Sequence, residues 1–361
     1  MCHDFYAQYK VENEQDVDQL TIGSGKYNDI TDVYQRILLL STAYPNSLNY
    51  ARSGNRTISS GLKAILHSSK LYDQHISCRL EEMKTLGMDP EADIALLPKG
   101  SWILEFQIEL EKPFLSRDDV PFYIIDNPVK KDIVFSIPVT LATTWKGNLR
   151  WAMMKKWLES RKNNPREFAE IRFRHTLLFG TEKGWESIPK GWTEYLDRMC
   201  PDAKEIYRKK LIEKFGDYAK AEDIHVQGML YFYPTFWNKA ELMIINPHDR
   251  KTKTGKNPIY FEIVPEGAKG MFRLLYVPYH WLGSNNEELR NKIQEDLPQI
   301  ITGIKAMIFE YGFSAKKTVG FGKAKNNLRF GRLEIKGFLS ARKFSNFEEL
   351  ENIWGVEDEH S

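Results

Sequence analysis

The stretch Trp102-Ile-Leu-Glu-Phe-Gln-Ile-Glu-Leu110 alternates large apolar side chains with mostly polar ones. A period of two sends alternate residues to opposite faces of a β-strand, so this stretch predicts a half-buried strand. The turn-forming sequence Pro98-Lys99-Gly100 comes just before it. We therefore expect the main domain to begin at about residue 100.

The segments that follow this strand predict a mixture of helices and strands. Apolar residues recur at helical spacing over residues 145–160, 166–178, 202–218 and 286–311. Strand-like runs cover residues 229–233, 241–245, 259–264, 271–277 and 328–336. The order of strand, helix, several strands, helix and strand is that of an α+β, ferredoxin-like domain with large insertions. One such insertion is expected around residues 180–221.

The two ends of the chain are predicted to lie outside this domain. Residues 1–99 indicate a separate, mostly helical or irregular extension, with short helices at 33–40 and 62–71 and a loop over 42–60. The ferredoxin-like domain is expected over residues 100–340. Residues 341–361 are expected to form an acidic tail.

The charge of the chain is nearly balanced overall but unevenly distributed. Its 361 residues include 51 Lys and Arg against 49 Asp and Glu. Residues 146–175 hold nine basic and three acidic residues, and residues 305–336 hold eight against two. Residues 1–100 are net acidic, with 13 acidic and 10 basic residues. The chain is therefore predicted to present a basic surface despite its small net charge.

Other features of the composition exclude several classes of protein. Cys2, Cys78 and Cys200 are far apart and fit no zinc-ligand or disulfide pattern. Apolar runs stay well short of the roughly 20 residues that a membrane span needs. We therefore expect a cytoplasmic protein with neither a tightly bound cofactor nor a resident metal.

The segment Phe309-Glu-Tyr-Gly-Phe-Ser-Ala-Lys-Lys-Thr-Val-Gly-Phe-Gly-Lys323 is the most informative motif. Its glycines permit tight turns and close approach of a ligand, and exposed backbone N–H groups beside lysines suit a phosphate. These residues are Gly312, Gly320 and Gly322, with Lys316, Lys317 and Lys323. The order of a P-loop is absent. A tight helix-to-strand turn with solvated lysines explains the same composition.

A second motif covers residues 137–150, where a proline turn leads into a helix. Thr143 or Thr144 is predicted to cap that helix, and Lys146 and Arg150 follow within it. A helix N-terminus with hydroxyls and nearby cations is a good anion site. A capped helix with a solvated cationic face is the alternative.

Together, these two motifs resemble the RAMP superfamily of type III CRISPR effector complexes. Members have a helix opening like P-G-S-S-L-K-G-x-L-R, which Pro138 and residues 143–150 match, and a glycine-rich loop, which residues 312–322 match in the form of the Cmr branch. Residues 228–234, 245–248 and 257–261 are also similar to that branch. The resemblance covers about residues 100–337. One departure is that Ala-Thr-Thr stands where Gly-Ser-Ser is usual.

The resemblance implies an RRM-related, ferredoxin-like fold that grips the guide RNA backbone and helps to assemble a ribonucleoprotein filament in antiviral defence. The implied partners are guide RNA, target RNA and other effector subunits, with no membrane. The residues expected to contact RNA are Thr144, Lys146, Arg150, His248, Arg250, Lys316, Lys317 and Lys323. His248 and Arg250 belong to a basic loop over the RNA in this interpretation, although a lone histidine in a polar loop is also typical of solvated surface.

A third motif, Ile125-Asp126-Asn127-Pro128-Val129, leaves open whether the chain cleaves RNA. In the family's backbone subunits a D-x-P-[VI] segment supplies an aspartate needed for metal-dependent cleavage, and Asp126 occupies that place. The chain would then be a metal-dependent endoribonuclease that uses Mg²⁺, with Lys130 or Lys131 offsetting charge on the phosphorane. Alternatively Asp126 belongs to an ordinary Asn-Pro loop.

The leading interpretation is therefore a non-enzymatic or weakly enzymatic RNA-binding subunit. A catalytic backbone subunit is the first alternative, and a protein-assembly component that docks through its acidic residues 1–99 is the second. Among the remaining residues, His175 is expected to contact RNA or cap a helix. The aromatic side chains of Trp145, Trp151, Tyr231 and Phe321 could stack on bases, but their spacing favours the core.

Overall fold

The centre of the molecule is a five-stranded antiparallel sheet that contains the strand predicted at residues 102–110. The computed structural model describes residues 4–55, 57–89, 93–182, 184–185, 190–216, 221–246 and 258–353. In these ranges the strands are β1 (Trp102–Glu109), β2 (Val139–Thr140), β3 (Leu230–Phe232), β4 (Thr235–Phe236), β5 (Glu241–Ile245), β6 (Ile259–Ile263), β7 (Lys269–Tyr276), β8 (Arg329–Ile335) and β9 (Leu339–Phe344).

Helices surround this sheet and also form the first part of the chain. The described helices are α1 (Phe5–Gln8), α2 (Glu14–Ile22), α3 (Val33–Leu40), α4 (Pro45–Ser53), α5 (Gly61–Lys63), α6 (Leu71–Thr85), α7 (Ala142–Met153), α8 (Pro165–Phe179), α9 (Gly191–Met199), α10 (Ala203–Phe215), α11 (Asn286–Lys305) and α12 (Phe347–Ile353). Three of them continue as π-helical turns: α5 through Ala64–Ser68, α7 through Met154–Leu158 and α11 through Ala306–Tyr311.

The strand order of the main sheet is β3-β7-β1-β8-β9. The principal elements follow one another along the chain as β1, α7, β3, β7, α11 and β8. Numbered by their chain order, the four principal strands therefore lie across the sheet in the order second, third, first and fourth. This is the ferredoxin-like arrangement, which confirms the predicted α+β fold class. β9 extends the sheet beyond β8, and β2–β4 and β5–β6 form two small antiparallel pairs.

The hydrophobic core of the domain lies between the sheet and the helices α7 and α11. Alternate residues of β1, among them Leu104, Phe106 and Ile108, are completely buried there, as the period of two predicts. Each such side chain contributes about 1.5–3 kcal/mol through its burial. The opposite face of β1 carries Glu105, Gln107 and Glu109.

The N-terminal helices pack around a second hydrophobic cluster. That cluster also contains Ile124, Ile125, Phe135 and Ile137, which come from the long segment between β1 and α7. The extension is helical, as predicted, but it shares its core with the segment that carries Asp126.

The loop predicted over residues 42–60 is wrong in part, because α4 lies within it. Pro45 occupies the first turn, where a proline loses no helical hydrogen bond. Tyr50 and Ala51 are buried against the N-terminal cluster. Asn, Ser and Arg on the remaining faces hid this short amphipathic pattern.

The acidic tail predicted over residues 341–361 is also wrong in part. β9 pairs with β8, and α12 follows it. The rings of Phe347 and Phe106 lie 5.6 Å apart, and those of Phe347 and Phe309 lie 5.2 Å apart. The acidic residues of α12 face solvent while Phe347 and Leu350 complete the core. Residues 354–361 lie outside the described ranges.

The predicted insertion around residues 180–221 is packed against α8 by a buried ion cluster. The guanidinium of Arg172 donates to both carboxylate oxygens of Glu182 at 2.8 and 2.7 Å and to Asp197 at 2.7 Å. It also lies 4.3 Å from the ring centre of Tyr207 in α10. Because these partners satisfy the buried charge, α9 and α10 are held to the main domain.

Candidate functional site

The two sequence motifs meet in the structure through Asn148, a residue of α7. Its side-chain amide donates to the carbonyl of Phe313 at 3.4 Å, and its Oδ1 accepts from Nζ of Lys317 at 2.6 Å. The glycine-rich loop is thereby attached to the second turn of α7. The role of Asn148 was not predictable from the sequence, because an asparagine within a helix carries no signal of a contact 165 residues away.

The glycine-rich loop owes its shape to two glycines with left-handed backbone angles. Gly312 ends the π-helical turn with φ +74°, and Gly322 has φ +70°. A Cβ at Gly322 would lie 2.5 Å from Cβ of Ser314, a distance that side chains do not tolerate. The amide of Phe313 donates to the carbonyl of Gly322 at 3.1 Å and closes the loop.

Ser314 fastens this loop to the segment that follows β1. Its Oγ accepts from the amide of Leu115 at 2.7 Å and donates to the carbonyl of the same residue at 3.0 Å. Beneath it, the ring of Phe313 lies 4.6 Å from that of Trp145. The lysines are therefore part of a loop that hydrogen bonds and ring contacts hold in place.

Aromatic residues near the motifs are mainly structural. Trp145 is completely buried and donates through its indole N–H to Thr235 at 2.9 Å, so it belongs to the core, as the spacing favours. Trp151 is partly buried against Tyr311 and lies under Lys317, whose Nζ is 4.7 Å from the ring centre. Tyr231 lies on the edge strand β3 and accepts a hydrogen bond from a nearby glutamine.

Three cations at this junction, Lys146, Arg150 and Lys317, have no carboxylate partner among the described residues. Burial lowers the pKa of each of them, and the neighbouring charge of Arg150 adds to the effect on Lys146. Arg150 donates to the carbonyl of Gly180 at 3.2 Å. Glu182 partly offsets the charge of Arg150 without forming an ion pair, and Lys146 and Lys317 have no ion pair among the described residues. A phosphate beside these partly buried cations would therefore be favoured.

Lys316 and Lys323 extend the basic surface along the loop. Lys316 is exposed, has φ +58°, and holds its Nζ 4.4 Å from the ring centre of Phe261 in β6. The backbone carbonyl of Lys323 accepts from the amides of Glu111 and Lys112 at 2.9 and 3.2 Å. Its side chain makes no ion pair within the described ranges. The loop thus carries three lysines, of which Lys316 lies against β6 and Lys317 against α7.

Thr144 lies in the first turn of α7 but does not cap it. The helix begins at Ala142, before both predicted threonine caps, with Leu141 as the N-cap residue and no side-chain cap hydrogen bond. The amide of Thr144 donates to the carbonyl of Leu141 instead. The prediction of a threonine cap is wrong because Pro138 and β2 set the start of the helix through the backbone.

Asp126 is an exposed carboxylate on a rigid segment. The next residue, Asn127, accepts from the amide of Glu262 at 3.0 Å and donates to the carbonyl of Tyr260 at 3.3 Å. Asn127 also forms an isolated β-bridge with Phe261. The ammonium group of Lys316 lies over the ring of Phe261. Asp126 itself has no hydrogen-bond or ion-pair partner in the described part of the chain. The three predicted segments thus come together on one surface.

The two lysines that follow Asp126 are engaged elsewhere. Nζ of Lys130 donates to Asp118 at 2.7 Å, and Lys131 is buried in an ion pair with Glu262. Tyr123 donates to the same carboxylate of Glu262 at 3.1 Å. Lys131 is enclosed and cannot reach a phosphorane, whereas Lys130 is about one third exposed, so its proposed role in offsetting charge stays a prediction.

Two groups of predicted residues do not contribute to this described surface. His175 is buried, and burial lowers its pKa to about 3, with Arg150 and Arg174 adding repulsion. It is therefore neutral and cannot contact RNA. His248 and Arg250 lie outside the described residues. Within the described ranges, no group of three or more His, Cys, Asp or Glu side chains could hold a metal ion.

Comparison with known proteins connects this surface to a family. The sequence profile of the RAMP superfamily matches residues 20–325. The chain belongs to the RAMP superfamily. The match begins within the N-terminal helices, so the family relationship extends further than the motifs after residue 100 indicate.

Individual relatives are distant. The chain is 24% identical over 216 residues to the "CRISPR system Cms endoribonuclease Csm3" of Streptococcus thermophilus, an alignment that covers 59% of this chain and 81% of that protein. A chain in the cryo-EM structure of the "Type III-B Cmr-beta bound to cognate target RNA" matches with 14% identity and a TM-score of 0.34, over 86% of this RAMP chain and 76% of the other. Among the described helices, none is long and apolar enough to span a bilayer.

Proposed function

We propose that this RAMP protein is an RNA-binding subunit of a type III CRISPR ribonucleoprotein effector and that it grips the backbone of the guide RNA. The proposal rests on α7 and the glycine-rich loop attached to it, which carry Lys146, Arg150 and Lys317, three cations without a salt-bridge partner in the described structure. A chain of phosphates supplies the missing negative charge. The family and the CRISPR endoribonuclease named above support the same assignment.

The arrangement favours recognition of the backbone rather than of base sequence. Ammonium groups and loop amides suit phosphate oxygens, which carry no sequence information. Trp145 is enclosed in the core and cannot stack on a base, and the ring of Trp151 lies under Lys317, whose Nζ is 4.7 Å from the ring centre. Guide RNA and other effector subunits are the proposed partners, and a cytoplasmic location accords with them.

Binding to guide RNA at two salt concentrations tests this function. Release of counterions by six to ten phosphate contacts lowers affinity by about 10³- to 10⁵-fold between about 50 and 200 mM salt for a duplex, and less steeply for a single strand. We expect a steep loss, of similar size for guide RNA and for an unrelated RNA of equal length. Affinity that does not change with salt would refute the proposal.

A second candidate function, cleavage of target RNA, is favoured by the exposure of Asp126. Its carboxylate could accept the proton of a 2′-hydroxyl whose oxygen attacks the adjacent phosphorus, which releases a 5′-hydroxyl and leaves a 2′,3′-cyclic phosphate. The described residues near Asp126 do not form a metal site of their own, so we derive no step through Mg²⁺. A role for Mg²⁺ stays a proposal that depends on this candidate function.

Cleavage of a complementary RNA by the reconstituted complex tests this candidate. Asp126→Ala is compared with Asp119→Ala, because both aspartates lie exposed in the same loop region. Among the described residues, the Asp119 carboxylate has one ion-pair partner, Arg117 at 3.8 Å. Loss of cleavage with Asp126→Ala alone, with the complex still assembled, supports catalysis. Equal cleavage by both variants excludes it.

A role in assembly is favoured by a rigid apolar loop. Ile133 is 92% exposed and Val134 is 75% exposed, yet Asp132 holds their turn by accepting from the amides of Val134 and Phe135 at 2.9 Å. Side chains this apolar are typical of a protein contact when they are held in place. Ile133→Glu should weaken incorporation into the effector and leave RNA affinity unchanged. Normal incorporation would exclude this loop as a subunit contact.

A further inference from the structure

Phe330, at the start of β8, combines exposure with backbone strain. Its side chain is 73% exposed, and its φ of +53° lies in the left-handed region that favours glycine. A phenylalanine with so little burial does not stabilise the fold enough to explain this conformation. Residues held in such a conformation cluster at binding sites, so the outlier directs attention to what the ring contacts.

A β-bulge produces this conformation. Glu105 of β1 pairs with Arg332, whereas Gln107 pairs with Arg329, so one residue of β1 faces two residues of β8, Phe330 and Gly331. A bulge of this kind turns a side chain away from its regular direction. Here it directs the ring of Phe330 to a cavity on the sheet face opposite α7 and α11.

This cavity has a volume of about 330 Å³ and lies between the sheet and α6. Its apolar wall includes Phe330, Phe236 and Met271, and its polar lining includes Gln107 and Asn238. Ligand sites typically have this size and combine apolar walls with a few polar groups. The volume is sufficient for one base with its ribose.

The polar groups of the cavity are amides with unused hydrogen-bonding capacity. The side chain of Gln107 makes no hydrogen bond within the described ranges. Asn238 accepts from the backbone amide of Lys269 at 2.6 Å, and its side-chain N–H group has no acceptor among the described residues. Carboxamides can pair with the donor and acceptor edge of a nucleobase.

Two lysines line the same cavity and are weakly paired. Nζ of Lys84 lies 3.7 Å from Glu81, and Nζ of Lys269 lies 3.8 Å from Glu109. Ion pairs at this distance in solvent contribute little, so either ammonium group can turn to a phosphate. An aromatic wall, amide groups and nearby cations together match a nucleotide.

We propose that this cavity binds one unpaired nucleotide, with its base stacked on Phe330 and its base edge on Gln107 or Asn238. Lys84 or Lys269 contacts the phosphate. The site goes beyond the proposed backbone surface, because it uses different residues on the opposite face of the sheet. The nucleotide is either part of an RNA strand or a free mononucleotide, and these two sources share the same chemistry.

Binding by the full chain tests this site with two probes, AMP and an unstructured eight-nucleotide RNA. Phe330→Asn removes the ring while keeping a residue that tolerates a positive φ. Phe122→Asn is the matched control, because Phe122 is 89% exposed with φ +55° but does not line the cavity. Phe330→Trp retains an aromatic surface, and Gln107→Ala removes one amide without touching Phe330.

We expect Phe330→Asn to weaken binding by about 5- to 150-fold, the range for loss of one stacked base. Phe330→Trp and Phe122→Asn should bind as the wild type does, and Gln107→Ala should bind several-fold more weakly. Loss confined to the RNA probe identifies a nucleotide within a strand, and loss of AMP binding identifies a mononucleotide site.

The proposal is overturned if the wild type binds neither probe or if Phe330→Asn binds both as the wild type does. Thermal unfolding of the Asn variant should occur at the wild-type temperature or above it, because the strain is relieved. This test can fail independently of the test of the proposed function, since salt-dependent binding of long guide RNA at α7 and the glycine-rich loop does not require Phe330.

Discussion

His175 shows how a single buried residue can mislead a functional interpretation. Its position beside Arg172 and Arg174 in the sequence indicates a basic contact with RNA, yet both ring nitrogens are buried and have no hydrogen-bond partner in the described structure. The polarity of a residue does not reveal which face of a helix it occupies when the whole segment is half-buried. The structure therefore makes His175 a determinant of stability.

The protonation of His175 predicts acid sensitivity. Its pKa is about 3 when folded against about 6.5 when unfolded, so the unfolded chain binds more protons between these values and stability falls as pH decreases through that range. We expect the wild type to lose up to about 1.4 kcal/mol per pH unit more than His175→Leu does. Urea unfolding from pH 7 to pH 4 measures this difference, and parallel curves would contradict it.

The buried pair of Lys131 and Glu262 gives a second prediction for single residues. Because both side chains are enclosed, Lys131→Met leaves an uncompensated carboxylate and should cost about 3–5 kcal/mol of unfolding free energy. The double variant Lys131→Met with Glu262→Leu should recover most of that loss, since no isolated charge remains. A double-mutant cycle in urea measures the coupling. A double variant less stable than the single one would contradict this account.

At the scale of elements, two glycines of the glycine-rich loop differ in why a side chain is unfavourable. At one position only the backbone conformation opposes it, and at the other a neighbouring residue also blocks it. Gly320 and Gly322 have φ values of +84° and +70°, but a Cβ at Gly320 meets nothing within 4 Å, whereas one at Gly322 meets Ser314 at 2.5 Å. Gly320→Ala should cost about 1–2 kcal/mol through its backbone alone. Gly322→Ala should cost more and should also weaken RNA binding, because the lysines depend on the closed loop.

Thermal unfolding and RNA affinity of these two variants measure the difference. We expect Gly322→Ala to lower both the unfolding temperature and the RNA affinity by more than Gly320→Ala does. Equal effects would indicate that the loop tolerates opening at Ser314.

Most elements of the domain were predictable, and the exceptions have physical causes. Strands β5, β6 and β8 and the helices α8, α10 and α11 carry strong periodic patterns and occur within a few residues of their predicted bounds. α4 carries polar residues on most of its faces, and β9 buries only its two end residues, so neither shows a clear periodic pattern. Long-range packing of Tyr50 in α4 and of Phe344 in β9 decides their structure. The contact between Asn148 and Lys317 likewise depends on the completed fold.

At the scale of the whole molecule, the N-terminal helices and the domain are predicted to unfold together. Ile124, Ile125 and Phe135 belong to the cluster formed by α2, α3 and α6, so separation of the two parts would expose them to water. Calorimetry of the full chain should therefore show one cooperative transition. Two well-separated transitions would instead support the independent extension that the sequence predicts.

The shared cluster also explains why the sequence could not define the relation between these regions. Each part has its own periodic pattern, and nothing in residues 1–99 indicates which distant segment covers their apolar faces. The acidic charge of that region is compatible with docking to another subunit. The structure adds that the same region supports the segment carrying Asp126.

The central claim is that α7 and the glycine-rich loop form one surface for RNA phosphates. The salt dependence of RNA affinity tests it most directly, with Lys146, Lys316 and Lys317 all changed to Ala and Lys209→Ala as an exposed control. We predict that the slope of log affinity against log salt becomes shallower by about 2 for the triple variant on single-stranded RNA, since each lost contact removes about 0.7. Lys209→Ala should retain the slope of the wild type. An unchanged slope in the triple variant would contradict the account.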